Sequence, residues 1–582
     1  MFDNATAHES DFPFIQDLKK RSWDGLSETQ AFGVYALGLH CAETDFLSLA
    51  ADANTDGTDD KKIDLLHIDR DTNSVYIGQA CVYETWNKEA AESNKAADLA
   101  SGMGWLLNDK LETLPQRLQP KAQELRELIE SGEQVRIDLL FIHNANESMN
   151  VESELRSVAN TTKRIVDKES VNVSFRELGI KRIQDSFDDL DKDLLITSVV
   201  SLPIQDNYRL NNGGWDAIVF ALAGNALKQL YADYGERLFS ANIRGYLSVV
   251  NKKGNINKVI RETASESPDN FWPYNNGITI LTNRFTIEDD QIHLEGLSII
   301  NGAQTTGVIG ELDATIANGI HVPCRVVACT DDDIVDNIIR YNNTQNAIKS
   351  FDLRSNDATQ HKLRNSFESY EIEYAHRRSG LRRLPATAIH ADTVAPCLAS
   401  FHGSFQTAIR NRADIFESDD KYNNTFPAAI TAEHVFLVQA LADAIDEKKT
   451  TLKARVAAQE SSTQDELLLK LLNYSTSKQF VIAVVGRLAE HIFGGRIADR
   501  FSWKAIAASV LPNRSRVRVA WSLALDQILP LIRHAAGNDP YKTVRSQEDL
   551  IRVSDEVGTL LESLKTHYAA GFVPLRDVTK IA

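Results

Sequence analysis

The chain is poor in cysteine, with only Cys41, Cys81, Cys324, Cys329 and Cys397 in 582 residues. Their scattered positions argue against a structural zinc site and against a disulfide framework. Long hydrophobic runs are also lacking. The longest, near 217–227 and 480–488, are too short or too interrupted to span a bilayer. The opening stretch, MFDNATAHESDFPF, has neither the basic nor the apolar region of a signal peptide, so a cytoplasmic protein without membrane contact is expected. Positive charge is in deficit: 63 Lys and Arg face 81 Asp and Glu, a net charge of -18. A polyanionic partner would therefore have to meet a local basic patch, not the surface as a whole. No internal repeat or low-complexity tract is present.

The length suggests about three domains with ample material for cores. The order of strand-like and helical segments predicts a multidomain α/β protein. Residues 1–150 read as one α/β domain and 151–235 as a connector leading into a central domain. That mixed α/β domain runs over 236–430, and 431–582 is mostly helical. Thr431 and Ser546 are candidate N-caps in the last part.

The most informative text is residues 56–82, DGTDDKKIDLLHIDRDTNSVYIGQACV. An acidic, Gly-bearing approach leads into a strand over 62–68 that carries Asp64. A turn follows at 69–74, then a strand over 75–82 that carries Gln79 and Cys81. Adjacent strands can bring Asp64 and Gln79 to one edge of a sheet, where a few protein oxygens hold a hard divalent cation. Glu28 opens an apolar helix over 28–37. A helix is predicted after the strand, over 84–91 with Lys88 on it and Lys95 further along the same helix. A solvated amphipathic helix is predicted at 121–130, and a strand at 135–142.

This cassette resembles the PD-(D/E)XK nucleases in their Gln-x-Lys variant. The resemblance implies a restriction-endonuclease-like domain, with Mg²⁺ or Mn²⁺ held by Asp64 and Gln79, Glu28 assisting, and nucleic acid, DNA foremost, as partner. A homodimer would suit cleavage of both strands. Cys81 stands where the family has its lysine. A neutral thiol cannot stabilise charge developing on a phosphate, and a thiolate would repel it. Lys88 is the nearest substitute cation, ahead of Lys95, Lys61 and Lys62. A buried hairpin with an ordinary buried cysteine is the other reading of the same residues.

Four further blocks stand in order: 238–247 (LFSANIRGYL), 271–280 (FWPYNNGITI), 299–306 (IINGAQTT) and 340–356 (RYNNTQNAIKSFDLRSN). Together with HRRSG at 376–380 and ADIF at 413–416 they resemble the AIPR family of abortive-infection phage-resistance proteins. That resemblance implies antiviral defence, with a partner defence protein as a further expectation. Asn275, Asn276, Asn301, Gln304, Asn343, Gln345 and Asn346 offer donors and acceptors without net charge. Arg244, Arg340, Lys349, Arg354, Arg377 and Arg378 could add charge, making a nucleic-acid or ligand surface. Turn chemistry at strand ends explains any single amide equally well. The Asn-Gly-Ala-Gln and Asn-Asn-Thr-Gln stretches also resemble motifs of ParB-like nucleotide-using proteins, which leaves a nucleotide-binding central domain open. A second basic cluster (Arg496, Arg500, Lys504, Arg514, Arg516, Arg518) is interleaved with Phe501, Trp503 and Trp521, a pattern suited to base stacking. A non-catalytic sensor or scaffold acting through a partner is the competing functional class.

Overall fold

The computed structural model describes residues 1–188 (save 42, 44 and 58), 196–235, 254–331, 357–376, 387–410 and 414–495. It also describes 513–579 and a few isolated positions between these segments. The chain forms two compact units. The first comprises Met1–Ser186, Ser350–Arg378 and Leu384–Ala582; the second comprises Phe187–Lys349 and Ser379–Arg383.

The first unit contains a four-stranded sheet in the order β1-β2-β3-β4: Leu65–Asp69, Ser74–Cys81, Val135–His143 and Val171–Leu178. β1 and β2 form an antiparallel hairpin, and β2, β3 and β4 run parallel. The hairpin turn follows from its sequence. Asp69 accepts hydrogen bonds from the Asp71 amide (2.9 Å) and the Thr72 hydroxyl (2.8 Å), and Asn73 takes the left-handed conformation at φ 50°. β3 is a near-continuous apolar run buried on both sides, as parallel strands require. One face of the sheet, with Ile68, Val75, Ile77, Ile137 and Leu139, packs into a core shared with the helices Ser93–Asn108, Gln119–Glu130 and Met149–Val166. The opposite face receives the helix Glu28–Cys41, whose Gly33 lies against Ala80 and Leu65. β4 comes from the stretch read as a connector, so the sheet extends past residue 150.

Two sequence expectations change here. No helix spans 84–91; the chain turns irregularly and the helix begins at Ser93, leaving Lys88 in the loop and Lys95 in the helix. The helix Gln119–Glu130 is not solvated, since Lys121 and Glu124 are both fully buried. Each is satisfied by a partner, which is what allows a charged side chain to leave water. Lys121 Nζ meets Asp52 Oδ1 at 2.5 Å, and Glu124 accepts from the Ser475 amide and hydroxyl.

The rest of the first unit is helical. Its axis is the 26-residue helix Ala432–Ala457, buried along most of its length and capped by Thr431, which accepts from the His434 amide at 3.3 Å. Ser546 caps the helix Gln547–Ser563 in the same way, accepting from the Asp549 amide at 3.1 Å. Among the described residues no helix is long and apolar enough to cross a membrane.

The second unit is built on a seven-stranded sheet. β5 (Ile196–Pro203), β10 (Gln291–Asn301), β8 (Ile278–Thr282), β11 (His321–Ala328), β7 (Trp215–Ala223) and β6 (Tyr208–Asn212) are neighbours in that order, and β9 (Arg284–Glu288) pairs with β10. β8 and β11 are parallel and the other pairs antiparallel. The core includes Ile218, Phe220, Leu222, Ile280, Leu294, Val322 and Val326. Mixed α/β architecture with a mostly helical C-terminal part is therefore as expected from the sequence.

A Cβ on Gly33 would stand 2.9 Å from that of Ala80, so helix and sheet touch only because this residue is glycine. Gly33→Val is expected to destabilise the chain by about 1–3 kcal/mol through overpacking. Gly104→Ala, where a Cβ meets nothing within 4 Å, is expected to stabilise it by about 0.5–1 kcal/mol. Urea denaturation of both variants tests the pair.

Candidate metal centre at the start of the first hairpin

Asp64 immediately precedes β1. Its amide donates to the Gly78 carbonyl at 3.0 Å, and its Oδ2 accepts from the Ala80 amide at 2.8 Å. The carboxylate is thus fixed beside the end of β2. Ahead of it, residues 54–57 and 59–63 fold back against the start of β1. The Thr55 amide donates to the Asp64 carbonyl (2.8 Å), the Thr55 hydroxyl to the Ile63 carbonyl (2.7 Å), and Asn54 bridges Leu65. Lys61 and Lys62 close the loop at φ 54° and 67°, a conformation uncommon for residues other than glycine and frequent at functional sites. The loop carries Asp56 and Asp60 back over Asp64. One carboxylate oxygen from each of the three lies within 4.8 Å of the others.

Burial raises the Asp64 carboxyl to about 7, against the pull of the Ala80 amide, and the charges of Asp56 and Asp60 push it further the same way. Asp56 is also raised by burial, although Gln30 Nε2 donates to its Oδ2 at 3.0 Å. Gln79 neighbours the amide that binds Asp64. It is 8% exposed, and its Oε1 is buried with no hydrogen-bond partner. An unsatisfied buried acceptor costs about 1–3 kcal/mol. Three carboxylates and an unpartnered amide oxygen are the hard oxygen donors that Mg²⁺ or Mn²⁺ prefers. The donor set fits such an ion.

Cys81 is half-buried at the end of β2. The Tyr83 phenol is pushed up to about 12, first by burial and then by the nearby Cys81 thiol. Lys88 lies with its ammonium 4.8 Å from the centre of that Tyr83 ring. Lys61 pairs with Asp59 at 2.8 Å and sits over Trp105, and Lys62 pairs with Asp98 at 3.4 Å. Glu28 occupies the first turn of its helix, but the residue of that helix that bonds the acidic loop is Gln30. Asp56, Asp60 and Arg117 were missed as site residues by sequence reasoning. The acidic run before Asp64 was a signal for the first two; nothing local marks Arg117, which is distant in sequence.

The central amides divide. Asn275 Oδ1 accepts from the Gly277 amide (2.8 Å) and the Thr305 hydroxyl (3.2 Å), which is turn chemistry. Gly277 and Gly302 have positive φ, and a Cβ on either would strike backbone atoms of the neighbouring strands. Asn276 is exposed; Asn301 ends β10 and Gln304 lies in the first turn of the helix Ala303–Glu311. Arg354 is committed within the first unit, where it pairs with Asp419, donates to the Phe416 carbonyl and covers the Tyr422 ring. Arg244, Arg340, Asn343, Gln345, Asn346, Lys349, Arg377 and Arg378 lie outside the described residues, as do Arg496, Arg500, Phe501, Trp503 and Lys504. Of the second basic cluster, Arg514 forms a two-pronged pair with Asp443 and Arg518 pairs with Glu447. Trp521 is a core residue donating to the Leu437 carbonyl, so it offers no stacking surface.

These features define a mixed α/β protein with a convergent acidic centre at one sheet edge. Residues 239–509 match the model of the family described as AIPR protein, which supports the resemblance drawn from the central blocks. No curated protein and no solved structure matches the chain.

Asp64 holds a proton in the folded chain up to about pH 7 and, unfolded, loses it near its ordinary value of 3.8. Between those values Asp64 binds more proton in the folded state, so its own contribution to stability falls as pH rises and levels off above 7. In metal-free buffer with chelator, the stability of the wild-type chain relative to Asp64→Asn is expected to decline from pH 4 to 7 and then level off; urea titrations of both from pH 4 to 8 measure the difference.

Proposed function

We propose that the chain is a cytoplasmic bacterial antiphage protein of the abortive-infection kind, whose N-terminal α/β domain is a metal-dependent nuclease of PD-(D/E)XK type. The AIPR match over 239–509 supports the defence role. The observation that carries the nuclease reading is the convergence of Asp56, Asp60 and Asp64 within 4.8 Å, with Gln79, whose Oε1 is buried and unpartnered, adjoining in sequence the Ala80 amide that binds Asp64. Asp64 and Gln79 would hold Mg²⁺ or Mn²⁺, with Asp56 and Asp60 completing the carboxylate side. A bound cation there would polarise a phosphate and lower the pKa of a water. The Ala80 amide keeps the Asp64 oxygen in place, and Gln30 orients Asp56. Lys88, over the Tyr83 ring, would supply the positive charge missing at Cys81. The substrate is a nucleic acid, with DNA the first to try.

A second reading rests on Cys81. With a thiol at the family's lysine position, the domain would bind nucleic acid without cutting and act through a partner.

Purified protein with Mg²⁺ or Mn²⁺ is expected to cut plasmid DNA, and Asp64→Ala to lose more than the roughly 10–100-fold that partners one shell beyond a metal ligand carry. Unchanged cutting by Asp64→Ala would sink the assignment. Cys81→Lys separates the two readings: faster cutting indicates a built site short of one charge, whereas no cutting with intact DNA binding favours the binding module.

A further inference from the structure

The segment that launches the acidic loop, Asp52–Asp56, is held by residues remote in sequence. On the helix Ala432–Ala457, positions 449, 453 and 457 are four residues apart and so share one stripe. Two of them meet this segment and the third lies against Gly57, the residue after it. Lys449 Nζ contacts Asp52 Oδ1 at 3.2 Å. Lys453 Nζ donates to the carbonyls of Asp52 (3.0 Å) and Asn54 (2.7 Å). Ala457 lies 3.2 Å from where a Cβ on Gly57 would stand. Arg117 grips the next carbonyl, with Nε donating to Thr55 O at 2.7 Å, and its own carbonyl accepts from Asn473 Nδ2 at 2.6 Å. A Cβ on Gly57 would also come within 2.8 Å of the Arg117 guanidinium, so a larger residue there would have to displace that side chain.

Such placement is costly unless it serves something. Lys449, Lys453 and Arg117 are 6%, 5% and 5% exposed, and Arg117 Nη2 is buried without a partner. Burying cations demands compensation, and most of it here comes from main-chain carbonyls of one short segment. Those carbonyls belong to the residues immediately before Asp56, and Thr55 in turn bonds the Asp64 main chain.

We propose that Lys453, with Lys449 and Arg117, positions the acidic loop, so that the C-terminal helical region sets the geometry and cation affinity of the Asp56–Asp60–Asp64 centre. The inference rests on the metal reading given above. These are positioning residues: they reach the carboxylates through the backbone of 52–55. A shift of the long helix along its axis would move the loop with it, giving the rest of the chain a mechanical hold on the N-terminal site.

The test is Mn²⁺ binding by the full chain, read as free Mn²⁺ by electron paramagnetic resonance. Lys453→Met removes both donors and is expected to weaken binding roughly 10- to 100-fold, as outer partners of metal sites do. Leu441→Ala, a core truncation on the same helix, controls for general destabilisation: its thermal midpoint should fall while Mn²⁺ affinity holds. Should Lys453→Met not fold, Ala457→Leu crowds the loop from the same stripe and is expected to weaken Mn²⁺ likewise. Wild-type affinity in the folded stripe variant, or equal loss in Leu441→Ala, overturns the inference while leaving the metal reading intact. Absence of Mn²⁺ binding by the wild-type chain overturns both.

Discussion

Three carboxylates forced together in a half-buried place are the constraint on which the rest of this site depends. Asp56, Asp60 and Asp64 approach within 4.8 Å where burial has already raised Asp64 to about 7. Like charges in a low-dielectric setting must be relieved by protons or by a cation. The surrounding structure works to keep them together all the same. The Ala80 amide fixes one carboxylate, Gln30 bonds another, and two consecutive lysines adopt left-handed backbone to close the loop. An arrangement maintained against its own electrostatics is the ground for the metal proposal made above.

The first unit shows how such an arrangement is afforded structurally. A mixed sheet covered on both faces supplies the edge, and the Gly33 contact lets the helix Glu28–Cys41 lie directly on it. A buried polar layer then joins this sheet domain to the helical part of the same unit. Asp52 meets Lys121, Lys449 and His67, and Glu124 meets the start of the helix Ser477–Arg487 through Ser475. Buried ionic contacts of this kind add little net stability compared with apolar packing, but breaking one partner is severe, so they fix a single relative arrangement.

Much of this was legible in the sequence, for physical reasons that can be named. The hairpin was readable because β1 and β2 are short apolar runs around an Asp-rich turn, and Asp64 and Gln79 fall at its open end as alternation requires. The caps at Thr431 and Ser546 were readable because hydroxyl capping is local. The predicted helix at 84–91 failed because propensity is a weak prior; there Asn87 takes a positive φ and the chain bonds Asn144 and Asn146 instead. Lys121 and Glu124 looked solvated because their partners, Asp52 and Ser475, are far away along the chain. Arg117 and Lys453 were invisible for the same reason. Asn275 was visible as chemistry, but its amide is spent on a turn.

The most direct measurement is anomalous diffraction from crystals of the full chain grown with Mn²⁺. A peak bounded by the carboxylates of Asp56, Asp60 and Asp64, within bonding distance of Gln79 Oε1, is the predicted result. Ordered crystals with Mn²⁺ in the solvent and no peak among these four side chains would contradict the account, leaving the acidic loop as a structural feature without a cation to hold.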